Sequence, residues 1–234
     1  MEHMSTTPIV ALDVASSATA LELVDDLGDA CRFYKIGAEL FTACGPSVVR
    51  EVQARDATVF LDLKYHDIPN TVAGGVRGAA ALGVRLVTVH ATGGPVMLRA
   101  AVDAAGDQSH CGVLAVTILT SLGTAEVASL WRRDPGLCIA DEVMRLAELA
   151  KEAGAYGVVC SGKDAAHVKQ RFGSSLAVLV PGVRSEGGAM HDQARVSTSA
   201  EAAAAGADYI VVGRAISGAR DRRAALQQIR EQLS

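Results

Sequence analysis

The 234-residue chain has no C-x-x-C pair, and its five cysteines, Cys31, Cys44, Cys111, Cys138 and Cys160, stand singly. An odd, scattered set of this kind reads as reduced, mostly buried thiols in a cytoplasmic protein. The chain also lacks a basic block: 22 Lys and Arg stand against 26 Asp and Glu, a formal net charge of -4. That balance argues against a nucleic-acid partner and leaves room for a phosphate in a locally basic pocket. No stretch approaches the ~18 uninterrupted apolar residues of a membrane span, and no apolar core of signal-peptide length opens the chain. Residues 1–4, Met-Glu-His-Met, look like a cloning remnant or irregular N-terminus before a natural start at Met4, so a single domain is expected over 5–234. No linker, low-complexity run or second domain interrupts it. Ser161 has no Gly-x-Ser-x-Gly frame, which excludes the usual hydrolase nucleophile.

What is present is periodic. Half the residues are hydrophobic and 21% are charged, enough for one full globular core. Eight short apolar runs alternate with Ala-rich amphipathic stretches: Ile9–Leu12, Arg32–Ile36, Thr58–Leu63, Leu86–His90, Val113–Ile118, Gly157–Cys160, Leu176–Val180 and Tyr209–Val212. Alternation of this kind indicates βαβ units and a parallel sheet, and eight of them predict a (β/α)8 TIM barrel. Helices are predicted over Val96–Ala105, Asp141–Ala153 and Ser199–Ala205, with Gly83, Gly154 and Gly206 as helix stops.

A barrel places its chemistry at the carboxyl ends of its strands. Polar residues collect there: Asp13, Lys35, Asp62 with Lys64, His90, Thr120 with Ser121, Ser161, Pro181 to Arg184, and Gly213-Arg214. In the Asp62-x-Lys64-x-x-Asp67 segment, period-2 geometry points Asp62 and Lys64 the same way. Two carboxylates around one ammonium make a proton-transfer device or a metal site, although an isolated motif of this kind also fits a solvated surface ion pair. His66 and His90 are expected to make structural hydrogen bonds, and Trp131 to pack or lie at an interface.

Pro181-Gly-Val-Arg184 and Val212-Gly-Arg214 follow the seventh and eighth runs, where TIM barrels bind phosphate. Glycine admits the anion to the backbone, and arginine offers a forked cationic donor.

Ala11-Leu-Asp13, Lys35-Ile-Gly37, Asp62-Leu-Lys-Tyr-His-Asp-Ile-Pro-Asn-Thr71, Val89-His-Ala-Thr-Gly-Gly94, Leu119-Thr-Ser121, Pro181 to Arg184, Asp192-Gln193 and Val212-Gly-Arg214 occur in an order that resembles the orotidine 5'-phosphate decarboxylase family over nearly the whole chain. The resemblance implies decarboxylation of orotidine monophosphate to uridine monophosphate, in pyrimidine nucleotide synthesis, with no cofactor and no metal. It implies that Lys64 stabilises the carbanion and donates the proton, that Asp62 faces the substrate carboxylate, and that Lys35 and Asp13 meet the ribose hydroxyls in a Lys-Asp-Lys-Asp row closed by Asp67. Thr120 and Ser121 resemble the pair that reads the pyrimidine edge. Pro181, Arg184, Gly213 and Arg214 resemble phosphate binders, and Gln193 resembles the glutamine of a closing loop, the lid segment Ser185 to Asp192 with its Gly187-Gly188 pair. Asp67, Ile68 and Thr71 imply a homodimer in which these residues enter the other subunit's site.

Two other readings compete. A magnesium-dependent sugar-phosphate decarboxylase or synthase group shares the barrel and the Asp-x-Lys-x-x-Asp motif, but it carries a metal-holding Glu where this chain has Lys35, whose ammonium repels a cation. A non-catalytic nucleotide-binding barrel would need the phosphate residues but not Asp62, Lys64 and Asp67 together.

Overall fold

The computed structural model describes residues 6–132, 134, 136–183 and 197–233. Residues 1–4, Arg184, the Ser185 to Asp192 segment and Gln193 lie outside the described residues.

Eight parallel strands close into one barrel: β1 Thr7–Ala11, β2 Phe33–Gly37, β3 Thr58–Tyr65, β4 Leu86–His90, β5 Gly112–Val116, β6 Gly157–Val159, β7 Ala177–Val180 and β8 Tyr209–Val212. Each pairs with the next, and β8 returns to β1 through Thr7↔Tyr209 to Val10↔Val212. Every predicted apolar run is a strand, because both faces of a parallel sheet are covered and select apolar side chains at nearly every position. The differences are at the ends. β1 begins at Thr7, whose N–H donates to Asp208 O at 2.9 Å. β3 runs on to Tyr65 through an irregular register between Leu61 and Tyr65.

Alternation along the strands builds two cores. Ile9, Ala11, Phe60, Leu86, Leu114 and Leu179 are among the residues that fill the barrel interior. Val10, Ile36, Val59, Leu61, Val87 and Val113 belong to the larger shell beneath the helices. Fully burying such a side chain contributes about 1.5–3 kcal/mol, so a one-residue register slip on any strand would forfeit several of these contributions together. At the amino ends of the strands the Tyr156 and Tyr209 hydroxyls meet at 2.8 Å, with the Arg85 guanidinium 4.7 Å above the Tyr156 ring. That end is plugged, and the open end is the other one.

Helices follow each strand. Gly94–Ala105, Ile139–Glu152 and Ser199–Ala204 occupy the predicted segments to within two residues. Ser16, Thr198 and Asp221 cap the N-termini of their helices through side-chain oxygens. Gly83, Gly154 and Gly206 take φ of +72°, +81° and +80°, the left-handed turn that ends a helix cheaply only in glycine. Two helices rather than one follow β2, Ala38–Cys44 and Ser47–Gln53, two follow β5, Thr124–Trp131 and Ile139–Glu152, and two follow β8, Arg214–Ser217 and Arg222–Glu231. Trp131 packs, partly buried, against the outer core.

Candidate active site

The inner column of β3 reads Phe60, Asp62, Lys64 from the barrel interior outward, so apolar packing gives way to charge where the strand reaches the open end. Neighbouring strand ends supply the rest. A cavity of about 490 Å³ is lined by Asp13, Lys35, Asp62, Lys64, Thr120, Ser121, Pro181, Gly213 and Arg214, with an apolar floor that includes Phe60, Leu179 and Val211. That size falls in the range of about 300–1,000 Å³ found for small-ligand sites.

One row of charges runs across the cavity. The Lys35 ammonium donates to Asp13 Oδ1 at 2.6 Å and lies 3.9 Å from Asp62 Oδ2. The Lys64 ammonium straddles Asp62, 2.9 Å from Oδ1 and 2.8 Å from Oδ2. The side chains of Lys35 and Asp62 are only 11% and 12% exposed, whereas Lys64 is 38% exposed, so the outermost ammonium is the one presented to a ligand. Charges this far from water are held only because each has an opposite partner, and the row is neutral as a whole. It is a fixed array of dipoles and charges, able to stabilise a developing anion without reorganising. The Lys64 ammonium spans both Asp62 oxygens, and the Lys35 ammonium holds Asp13 Oδ1.

Local geometry explains how this crowding is achieved. Lys64 has φ of +49°, a left-handed conformation costing roughly 1–3 kcal/mol in a non-glycine residue. The same stretch carries the irregular β3–β4 register, and the turn brings the Lys64 ammonium back over Asp62. Gly37 is a second requirement. A Cβ there would lie 3.0 Å from Lys35 Nζ and 3.4 Å from Asp13 Oδ1, so its absence leaves room for the Lys35–Asp13 pair.

The structure does not bring every predicted site residue together. Asp67 is exposed and turns its Oδ1 to the Ile68 N–H at 2.6 Å, Ile68 is 67% exposed, and Thr71 is exposed in the first turn of the helix Pro69–Ala81. None of the three lines the cavity of its own chain. Arg184 and Gln193, predicted at the mouth, are outside the described residues. Arg214 is at the mouth, exposed, with no described carboxylate within ion-pair distance of its guanidinium. Gly182 and Leu119, from the Pro181 to Arg184 and Leu119 to Ser121 segments, also line the cavity, as does Ser217, to which no sequence motif pointed.

The two histidines differ from expectation. Neither ring makes a hydrogen bond among the described residues; His66 and His90 pack on each other, ring centres 5.2 Å apart and inclined at 38°. Burial, and then the neighbouring His66 and Lys64, push the His90 imidazole below its ordinary value, which keeps it neutral beside the ammonium. Ser161 is not a free nucleophile either, since its hydroxyl donates to Asp164 Oδ2 at 2.6 Å.

Comparison with known proteins agrees with this geometry. Residues 6–229 match the model of the orotidine 5'-phosphate decarboxylase / HUMPS family. Proteins named orotidine 5'-phosphate decarboxylase from Halorhodospira halophila and Saccharophagus degradans are 46% and 43% identical to the chain, over 97% of it and 95% and 94% of their own lengths. The crystal structure of orotidine 5'-phosphate decarboxylase from Lactobacillus acidophilus superposes with a TM-score of 0.85 at 34% identity, covering 98% of this chain and 99% of that one. With a closed barrel and a neutral Asp-Lys-Asp-Lys row at its mouth, and matched end to end by such relatives, the chain belongs to the orotidine 5'-phosphate decarboxylase / HUMPS family.

Proposed function

We propose that the chain decarboxylates orotidine 5'-phosphate to uridine 5'-phosphate without a cofactor, a step of pyrimidine nucleotide synthesis in the cytoplasm. The observation that carries the reading is the Lys35–Asp62–Lys64 row held rigidly beneath an open cavity whose far rim carries Gly213 and Arg214.

The chemistry follows from the charges. The bond between the pyrimidine ring carbon and the carboxylate breaks, its electron pair stays on the ring carbon, and carbon dioxide leaves. The Lys64 ammonium stabilises that pair while it forms and then transfers a proton to it, leaving a neutral amine that regains its proton from water. Asp62 faces the substrate carboxylate and orients Lys64 through two hydrogen bonds. Asp13 and Lys35 receive the ribose hydroxyls, and Thr120 and Ser121 read the base edge. Pro181, Gly213 and Arg214 meet the phosphate together with Arg184, and Gln193 belongs to the segment that closes over it. Lys35 favours this reading over the magnesium-dependent one, because its ammonium beside Asp62 occupies the place a cation would need.

The functional unit in this proposal is a homodimer. Asp67, Ile68 and Thr71 are exposed and stand outside their own cavity, which suits residues that complete the partner's site. Lys64→Ala and Asp67→Ala chains, each nearly inactive alone, should then regain activity when mixed under subunit exchange. A two-fold dimer places both lesions in one site and leaves the other intact. Activity per verified heterodimer checks this; none recovered would put Asp67 and Lys64 in the same pocket.

A further inference from the structure

The Lys64 backbone is the strained point of the site, and the side chain that steadies it lies outside the cavity. Thr88, on the inner face of β4, is fully buried. Its Oγ1 lies 2.9 Å from the Lys64 backbone nitrogen and 2.9 Å from Asp62 Oδ1. An ionised carboxylate has no proton to give and a backbone N–H has no lone pair, so the directions are fixed: Thr88 accepts from Lys64 and donates to Asp62.

We propose that Thr88 is a positioning residue for the decarboxylation, its single hydroxyl setting both the backbone of the proton donor and the carboxylate that aligns it. The inference rests on the decarboxylase reading of the site. In a regular parallel ladder the Lys64 N–H would find a β4 carbonyl, but the register breaks between Leu61 and Tyr65 and the left-handed turn at Lys64 takes that N–H off the ladder. A backbone donor in this position needs another partner, and the Thr88 hydroxyl is that partner. The same oxygen's proton pins Asp62 Oδ1, which also accepts from the Lys64 ammonium. Backbone, carboxylate and ammonium of the Asp62–Lys64 unit therefore share one anchor. Valine at this position would keep the volume and lose both hydrogen bonds; serine would keep the bonds and lose only a methyl group.

The test is steady-state turnover of orotidine 5'-phosphate by the wild-type chain and by Thr88→Val, Thr88→Ser and Thr88→Ala, with kcat expressed per folded chain. Thr88→Val should lower kcat by about 10²-fold, the scale of an ångström-sized misplacement of a reacting group, with KM hardly changed because the phosphate and ribose contacts are elsewhere. Thr88→Ser should stay close to wild type. A purely structural role would instead reduce the folded fraction and leave kcat per folded chain intact. Should Thr88→Val not fold, serine against alanine makes the same comparison, and alanine alone should lose turnover. Wild-type kcat in Thr88→Val, or equal losses in the variants with and without a hydroxyl, would overturn the role of Thr88. An inactive wild-type chain would remove the decarboxylase reading itself, whereas an active one with an unaffected valine variant removes only this inference.

Discussion

Lys64→Ala should reduce kcat by on the order of 10⁵-fold. Two contributions disappear together: proton donation, typically 10²–10⁴-fold, and the electrostatic stabilisation of the developing carbanion, typically another 10²–10³-fold for one well-placed donor. No neighbour can substitute. Lys35 is the other ammonium of the row, but it is turned to Asp13 at 2.6 Å and lies on the far side of Asp62. The fold should survive, since Asp62 keeps the Thr88 hydroxyl at 2.9 Å and the Lys35 ammonium at 3.9 Å, so its carboxylate is not left buried without partners. Single-turnover assays together with a chemical unfolding curve check both halves of the expectation. A variant that unfolds like wild type and retains near-native turnover would show that the proton comes from elsewhere.

Arg214→Ala should lower kcat/KM for the nucleotide by about 10²-fold, the scale of losing a hydrogen bond between charged groups in a closed site. The guanidinium stands at the cavity mouth with no described carboxylate to neutralise it, which leaves it available to a dianionic phosphate. In the proposed reading that group is remote from the bond that breaks, and its binding energy would serve to hold the site closed and the substrate in place. A substrate fragment without phosphate makes no such contact. Its slow reaction should be nearly the same in wild type and variant, and the comparison of the two substrates is the check. Equal losses for both would place Arg214 in the chemistry rather than in phosphate binding.

The barrel was legible because strands buried on both faces leave apolar runs that few other structures require, and because Gly83, Gly154 and Gly206 mark the helix ends with the conformation that favours glycine. The Asp62–Lys64 pair was legible because the two residues are two apart at a strand end, whereas Lys35's place in the row was what the family resemblance implied. What the sequence hid is equally specific. Thr88 stands in a Leu-Val-Thr-Val-His run, where a threonine reads as one more β-branched strand residue; only the broken register beside it turns its hydroxyl into an anchor. The left-handed Lys64 has no signature, since lysine does not advertise positive φ as glycine does. His66 and His90 were expected to hydrogen-bond and instead share a ring contact, because the register at the end of β3 carries His66 across to β4. The doubled helix after β2 and the short helix Thr124–Trp131 after β5 were missed because short amphipathic turns carry little periodicity. Residues such as Asp67, Ile68 and Thr71 act, in this account, on a second copy of the chain, and a single chain's pattern cannot place them.

The central claim is metal-free decarboxylation by the Lys35–Asp62–Lys64 row. Its most direct test is turnover of orotidine 5'-phosphate by the purified chain after exhaustive chelation, following loss of substrate and release of carbon dioxide together. The account expects one carbon dioxide and one uridine 5'-phosphate per substrate consumed, at a rate unchanged by the chelator and by added magnesium. Turnover that vanishes on chelation and returns only with magnesium would contradict it.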